Sequence, residues 1–98
     1  MAAYMIIVRR GPIRDEDAMA EYQRRTRALP LSTQLAPLAV YGNITPLEGV
    51  APDGAIVLEF PSAEEALEWY QSADYQSAIP YREQAADYDM FIVDGLTR

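Results

Sequence analysis

Glu59 and three aromatic side chains with polar edges, Trp69, Tyr70 and Tyr75, fall within eighteen residues, EFPSAEEALEWYQSADYQ at 59–76. A carboxylate in an otherwise apolar stretch costs several kcal/mol to desolvate, roughly, unless it is paired or protonated. Burial also raises the pKa of a carboxylate, which is what a general base working near neutrality needs. Arg82 supplies a planar fork of donors suited to a substrate carboxylate or enolate. Tyr41 and Asn43 offer a phenol and an amide that could polarise a carbonyl or hold an oxyanion. Trp69, Tyr70 and Tyr75 could wall an aromatic ligand.

Each of these residues also has a plainer role. Glu59 closes a strand, where it can be partly solvated or bonded to Tyr41, Arg82 or a backbone amide. Arg82 can pair with an acid and tie a helix to a sheet. Tyr41 and Asn43 can be a packed cross-strand pair, and aromatics at helical spacing more often fill a core or an interface. The acids Asp15, Glu16 and Asp17 lack the spacing and glycine of a calcium loop and read as a helix start. Arg24, Arg25 and Arg27 form a solvated helix face, with Glu21 four residues before Arg25.

Composition removes much chemistry. The 98 residues contain no His and no Cys, and all eight basic residues are Arg. The commonest general base, the usual transition-metal ligands, thiol nucleophiles and Schiff-base lysines are therefore absent. No nucleotide-binding glycine motif, hydrolase elbow or zinc signature occurs, and neither a metal nor a cofactor is expected. A formal net charge of −7 opposes nucleic-acid binding. The apolar run Tyr4–Val8 is too short for a signal peptide or a membrane span. The expectation is a cytoplasmic protein whose partners are a small molecule or a second copy of itself.

The elements that must position these residues follow from periodicity and punctuation. Residues 3–9, AYMIIVR, are apolar on both faces, as in a strand covered on both sides, and Gly11-Pro12 stops them. Asp15 caps a helix carrying Met19, Tyr22, Thr26 and Leu29 at helical spacing, limited by Pro30. Residues 38–45 form a second strand, 46–54 a loop with two Pro and two Gly, and 55–60 a third strand. Pairing centred on that loop sets Tyr41 opposite Glu59 and Asn43 opposite Val57, with all four side chains on one face.

Ser62 and Glu65 form a capping box that opens a helix with Ala63, Ala66, Leu67 and Tyr70 as its buried stripe and Trp69 off its centre. Ser72 caps a second helical segment that Pro80 divides or kinks. Residues 88–95 form the last strand, ended by Gly95. The order β-α-β-β-α-β is the ferredoxin-like plan: one α+β domain, residues 1–98, with a four-stranded antiparallel sheet and a second helix in pieces. Met5, Ile7, Val57, Phe91 and Val93 leave the helix-free face too apolar to be wet. With no further layer in the chain, a second copy packed sheet against sheet is the economical cover.

LEG at 47–49, IVLEFPS at 56–62, WYQSADYQ at 69–76, Arg82 and FIVDG at 91–95 resemble a small bacterial domain-of-unknown-function family. That family belongs to the dimeric α+β barrel superfamily, with EthD-like proteins and antibiotic-biosynthesis-type monooxygenases. The resemblance spans nearly the whole chain. It implies a ferredoxin-like protomer paired into a barrel, with a cavity between sheet and helices, and leaves Glu59 and Arg82 at family positions. Where the family often carries His-Gly-Gly and Arg-Gly-Gly, this chain has Thr33-Gln34-Leu35 and Val40-Tyr41-Gly42. Two functions compete: a small-molecule-binding homodimer, and a cofactor-independent proton-transfer or oxygenation enzyme with Glu59 as base and Arg82 as anion holder. A structural accessory subunit is the third reading.

Overall fold

Every strand end carries a sequence reason. A computed structural model describes residues 1–27 and 35–96. Its elements are β1 (Ala3–Arg10), α1 (Glu16–Arg27), β2 (Ala36–Val40), β3 (Gly54–Phe60), α2 (Ala63–Gln71), α3 (Ala73–Ala85) and β4 (Asp87–Asp94). The sheet runs β2-β3-β1-β4 and every pair is antiparallel, which is the ferredoxin-like arrangement. Leu29 and Pro30, expected to close the first helix, lie outside the described residues, as do Thr33 and Gln34.

The capping chemistry is in place. Asp15 Oδ1 accepts from the Ala18 amide at 2.9 Å, and its other oxygen accepts from Gln84 at 2.6 Å, which ties the start of α1 to the end of α3. Ser62 Oγ accepts from the Glu65 amide at 3.1 Å. Ser72 closes α2 and opens α3: its amide donates to Trp69 O, and its hydroxyl accepts from the Tyr75 amide. The break in the second helical region therefore falls at Ser72, and α3 runs on past Pro80. Pro80, expected to divide or kink that segment, does not divide it.

Alternation sorts the strands into two faces. Met5 pairs with Leu58 and Ile92, and Ile7 with Ile56 and Met90. With Phe60 and Ala66 they build the core under the helices, with Trp69 and Tyr70 packed against it. Met5 and Ile7 thus belong to the covered face, not to the open one as expected. The open face carries Tyr4, Ile6 and Val8 beside Val57, Glu59, Phe91 and Val93. Phe91 is 52% and Val93 47% exposed. On α2 the buried stripe is also corrected, since Leu67 is exposed whereas Trp69 packs 5.9 Å from the Phe60 ring.

The β2–β3 pairing differs most from the sequence reading. Ala36, not Tyr41, faces Glu59, and a register shift falls between Pro37 and Ala39. The strand stops at Val40 because Tyr41 turns into the left-handed region, φ 51°. Bulky residues hold such a conformation only when their surroundings fix it. Asn43 is therefore not opposite Val57; it sits exposed in the loop that follows. That loop also carries Leu47, 90% exposed.

Candidate functional site

Period two carries polar side chains as well as apolar ones onto the covered face. Beyond Met5 and Ile7 the next β1 residue of that face is Arg9, and it pairs with Gly54 on β3 and Tyr88 on β4. At this end of the sheet the core therefore gives way to a guanidinium and a phenol. α1 packs on α3, not on the strands. The room this leaves is a cavity of about 260 Å³ lined by Arg9, Met19, Tyr41, Gly54 and Tyr88 among others.

Tyr41 reaches this chamber because of its backbone turn and because Gly54 has no side chain. A Cβ on Gly54 would lie 2.9 Å from the Tyr41 ring. The Tyr41 amide donates to Ala55 O at 2.9 Å, and its hydroxyl meets the Tyr88 hydroxyl at 2.7 Å. Arg9 Nη2 donates to the Asp53 carbonyl at 2.8 Å, while its Nε is buried without a partner.

Arg82, on α3, does not line this chamber but a second cleft of about 210 Å³, with Glu83, Ala86, Asp87 and Tyr88. It is 8% exposed, its Cζ lies 5.9 Å from the Tyr88 ring centroid, and its Nη1 meets Met90 Sδ at 3.8 Å. Its Nε has no hydrogen-bond partner. Tyr75 is fully buried, and its ring is packed 4.4 Å from Trp69 and 5.6 Å from Tyr70. Its hydroxyl meets Tyr22 Oη at 2.9 Å. Trp69, Tyr70 and Tyr75 are therefore packed against one another, and none of them lines the chamber.

These groups act on one another. Burial pushes the Tyr22 hydroxyl well above its ordinary pKa, and Tyr75 adds to the shift while Arg82 opposes it. Burial does the same to Tyr41, reinforced by the bond to Tyr88 and opposed by Arg9. Tyr75 is raised by burial, against the pull of Tyr22 and Arg82. Three phenols held above their ordinary values stay neutral at physiological pH and can donate.

Glu59 lies elsewhere. It pairs with Tyr4 and Ala36 on the open face, with the thickness of the sheet between it and Arg82. Among the described residues neither the Glu59–Arg82 pair nor a Tyr41–Asn43–Glu59 surface forms. Arg9 and Tyr88, which the sequence reading did not single out as site residues, line the chamber, and Tyr22 meets the Tyr75 hydroxyl outside it. The signal for Arg9 and Tyr88 was the same alternation that marked Met5, Ile7, Met90 and Ile92. For Tyr22 it was the helical spacing from Met19.

The DUF1330 family, described as a domain of unknown function, matches residues 2–96. No curated protein matches the chain. Among solved structures, methylated RPA0582 protein is similar over 98% of this chain and 82% of its own, at 18% identity and a TM-score of 0.71; RPA0582 is of unknown function and comes from Rhodopseudomonas palustris. A dimeric protein of unknown function with a ferredoxin-like fold from Bacteroides fragilis NCTC 9343 is 14% identical, TM-score 0.64, with 96% of each chain covered. An ethyl tert-butyl ether d (EthD) family protein from Bacillus halodurans C-125 is also 14% identical, TM-score 0.64, covering 98% of this chain and 100% of that one. At such identities the likeness is one of fold. No helix among the described residues is long and apolar enough to cross a membrane.

Proposed function

Because the chain belongs to the DUF1330 family, whose membership brings no activity with it, we propose from its own geometry that it is a homodimer that binds a small molecule. The observation that carries the binding half is the chamber: a cavity of about 260 Å³ between α1 and the sheet, lined by Arg9, Met19, Tyr41, Asp53 and Tyr88, with the Tyr41 and Tyr88 hydroxyls bonded to each other. Small-molecule sites are concave, mostly apolar and equipped with a few polar groups in fixed positions. Tyr41 is the sequence-named residue that lines it, beside Arg9, Asp53 and Tyr88.

The dimer half rests on the open face, where Ile6, Val57, Phe91 and Val93 form one apolar surface. The structural neighbour from Bacteroides fragilis is described as dimeric. In this reading two sheets close on each other, and the chambers lie on the outer, helix-covered sides, one in each protomer. A proton-transfer enzyme that uses Glu59 and Arg82 in one site gains no support, since the sheet stands between them. Glu59 instead belongs to the surface given to the second copy.

Titration of the isotopically labelled protein with phenol, a neutral aromatic probe, tests the chamber. Amide resonances of Met19, Tyr41, Gly54 and Tyr88 are expected to shift together and to saturate. Shifts scattered over the surface, or none at these residues, would contradict the reading.

A further inference from the structure

Arg10, Arg14, Arg24 and Arg25 each meet a carboxylate on the surface: Asp89, Asp87, and Glu21 for the last two. The chamber is different. Two charged side chains of opposite sign line it, Arg9 and Asp53. Among the described residues neither forms an ion pair, with the other or with a third group.

Peptide groups hold the two side by side instead. The Asp53 amide donates to Arg9 O at 2.9 Å, and Arg9 Nη2 donates to Asp53 O at 2.8 Å. Asp53 Oδ2 accepts from the Gly11 amide. A guanidinium and a carboxylate are thus fixed on one wall, with neither spent on the other. An anion drawn to Arg9 meets the repulsion of Asp53, and a cation drawn to Asp53 meets that of Arg9. An ion also gives up more hydration on entering than a neutral molecule does. A dipole gains from both residues, with its acceptor end at Arg9 and its donor end at Asp53. The rest of the wall has the same double character. The Tyr41 and Tyr88 hydroxyls, bonded to each other, keep a hydrogen to donate and lone pairs to accept, and Gln23 brings a side-chain amide.

We infer that the ligand of this chamber is a small molecule of no net charge that presents both a donor and an acceptor, as an aromatic carboxamide does. The inference rests on the reading of the chamber as a binding site and adds the charge class of its occupant. At about 260 Å³ the cavity is at the small end of ligand pockets, which limits the occupant to about one substituted ring.

The field of the whole chain makes a different prediction. With 15 acids against eight bases, it favours cations over neutral molecules and neutral molecules over anions. Benzamide, benzoate and benzylammonium share a ring and differ in charge, so their order separates the two. Nuclear magnetic resonance titrations of the labelled protein at pH 7.5 and low salt, followed at Tyr41, Gly54 and Tyr88, give that order. Benzamide is expected to bind at least about threefold tighter than either ion, the scale of partly exposed charges. Either ion binding as tightly as benzamide would overturn the inference and leave the cavity standing. So would shifts with phenol and none with benzamide. No shifts with any of these probes would overturn the cavity as well. Asp53→Ser, checked for folding by circular dichroism, removes the carboxylate and keeps an oxygen for the Gly11 amide. In that variant benzoate is expected to gain at least about threefold on benzamide, and an unchanged ratio would overturn the charge balance between Arg9 and Asp53. The wild-type order decides the charge class even if the variant does not fold.

Discussion

The two faces of one four-stranded sheet meet opposite problems. The helix-covered face has a dry core at one end, Ala3, Met5 and Phe60, and a polar chamber at the other, Arg9, Tyr41, Asp53 and Tyr88. The open face has almost no polar side chains along its middle. Its Phe91 and Val93 are about half exposed, with Glu59 as its inner carboxylate. The covered face thus hides hydrogen-bonding groups that water would satisfy, and the open face shows water groups that prefer to be buried. Each is costly alone, and the proposed reading gives each an occupant: a ligand on one side, a second copy on the other.

Substitutions confined to one face sharpen that contrast. The largest effect is expected on the open side. Phe91→Glu places a charge in the proposed interface twice, once from each protomer. Dimer affinity should fall at least a hundredfold, about 3 kcal/mol, with the isolated fold retained by circular dichroism. Sedimentation velocity over a dilution series measures it, and an unchanged association constant would remove Phe91 from the interface. On the covered side Gly54→Ala is the sharper probe. Its new Cβ would press into the Tyr41 ring, so a loss of about 1–3 kcal/mol is expected from overpacking. Urea unfolding would read it, and the Tyr41 and Tyr88 resonances should move while those around Phe91 stay still.

The smallest effect belongs to neither face. Asp15 is held below its ordinary pKa of 3.8, first by the Ala18 amide and then by Gln84. A lowered folded-state value means that its contribution is fully present above 3.8 and is lost as pH falls through the folded value. Asp15→Asn keeps a capping side chain but removes that titration. The acid limb of its stability curve below pH 4 should be shallower than that of the wild-type protein. An identical acid limb would show that Asp15 does not contribute there.

The architecture was legible because its signals are local and repeated. The apolar runs in AYMIIVR and FIVDG, the Ser62–Glu65 box and the cap at Ser72 each name an element without help from the rest of the chain. The β2–β3 register was not, since one irregularity at Pro37–Ala39 and one left-handed residue, Tyr41, move the pairing by several positions. That shift moved the expected Glu59 site apart and brought Tyr41 over Gly54 to Tyr88 instead. The burial of Arg82 between α3, Tyr88 and Met90 is a fact of packing, which no spacing rule contains.

The account depends most on the open face having a second copy over it. Sedimentation equilibrium of the wild-type protein at micromolar concentration tests this directly. The mass predicted is twice that of the 11.0 kDa chain, and a single species at 11.0 kDa would contradict it.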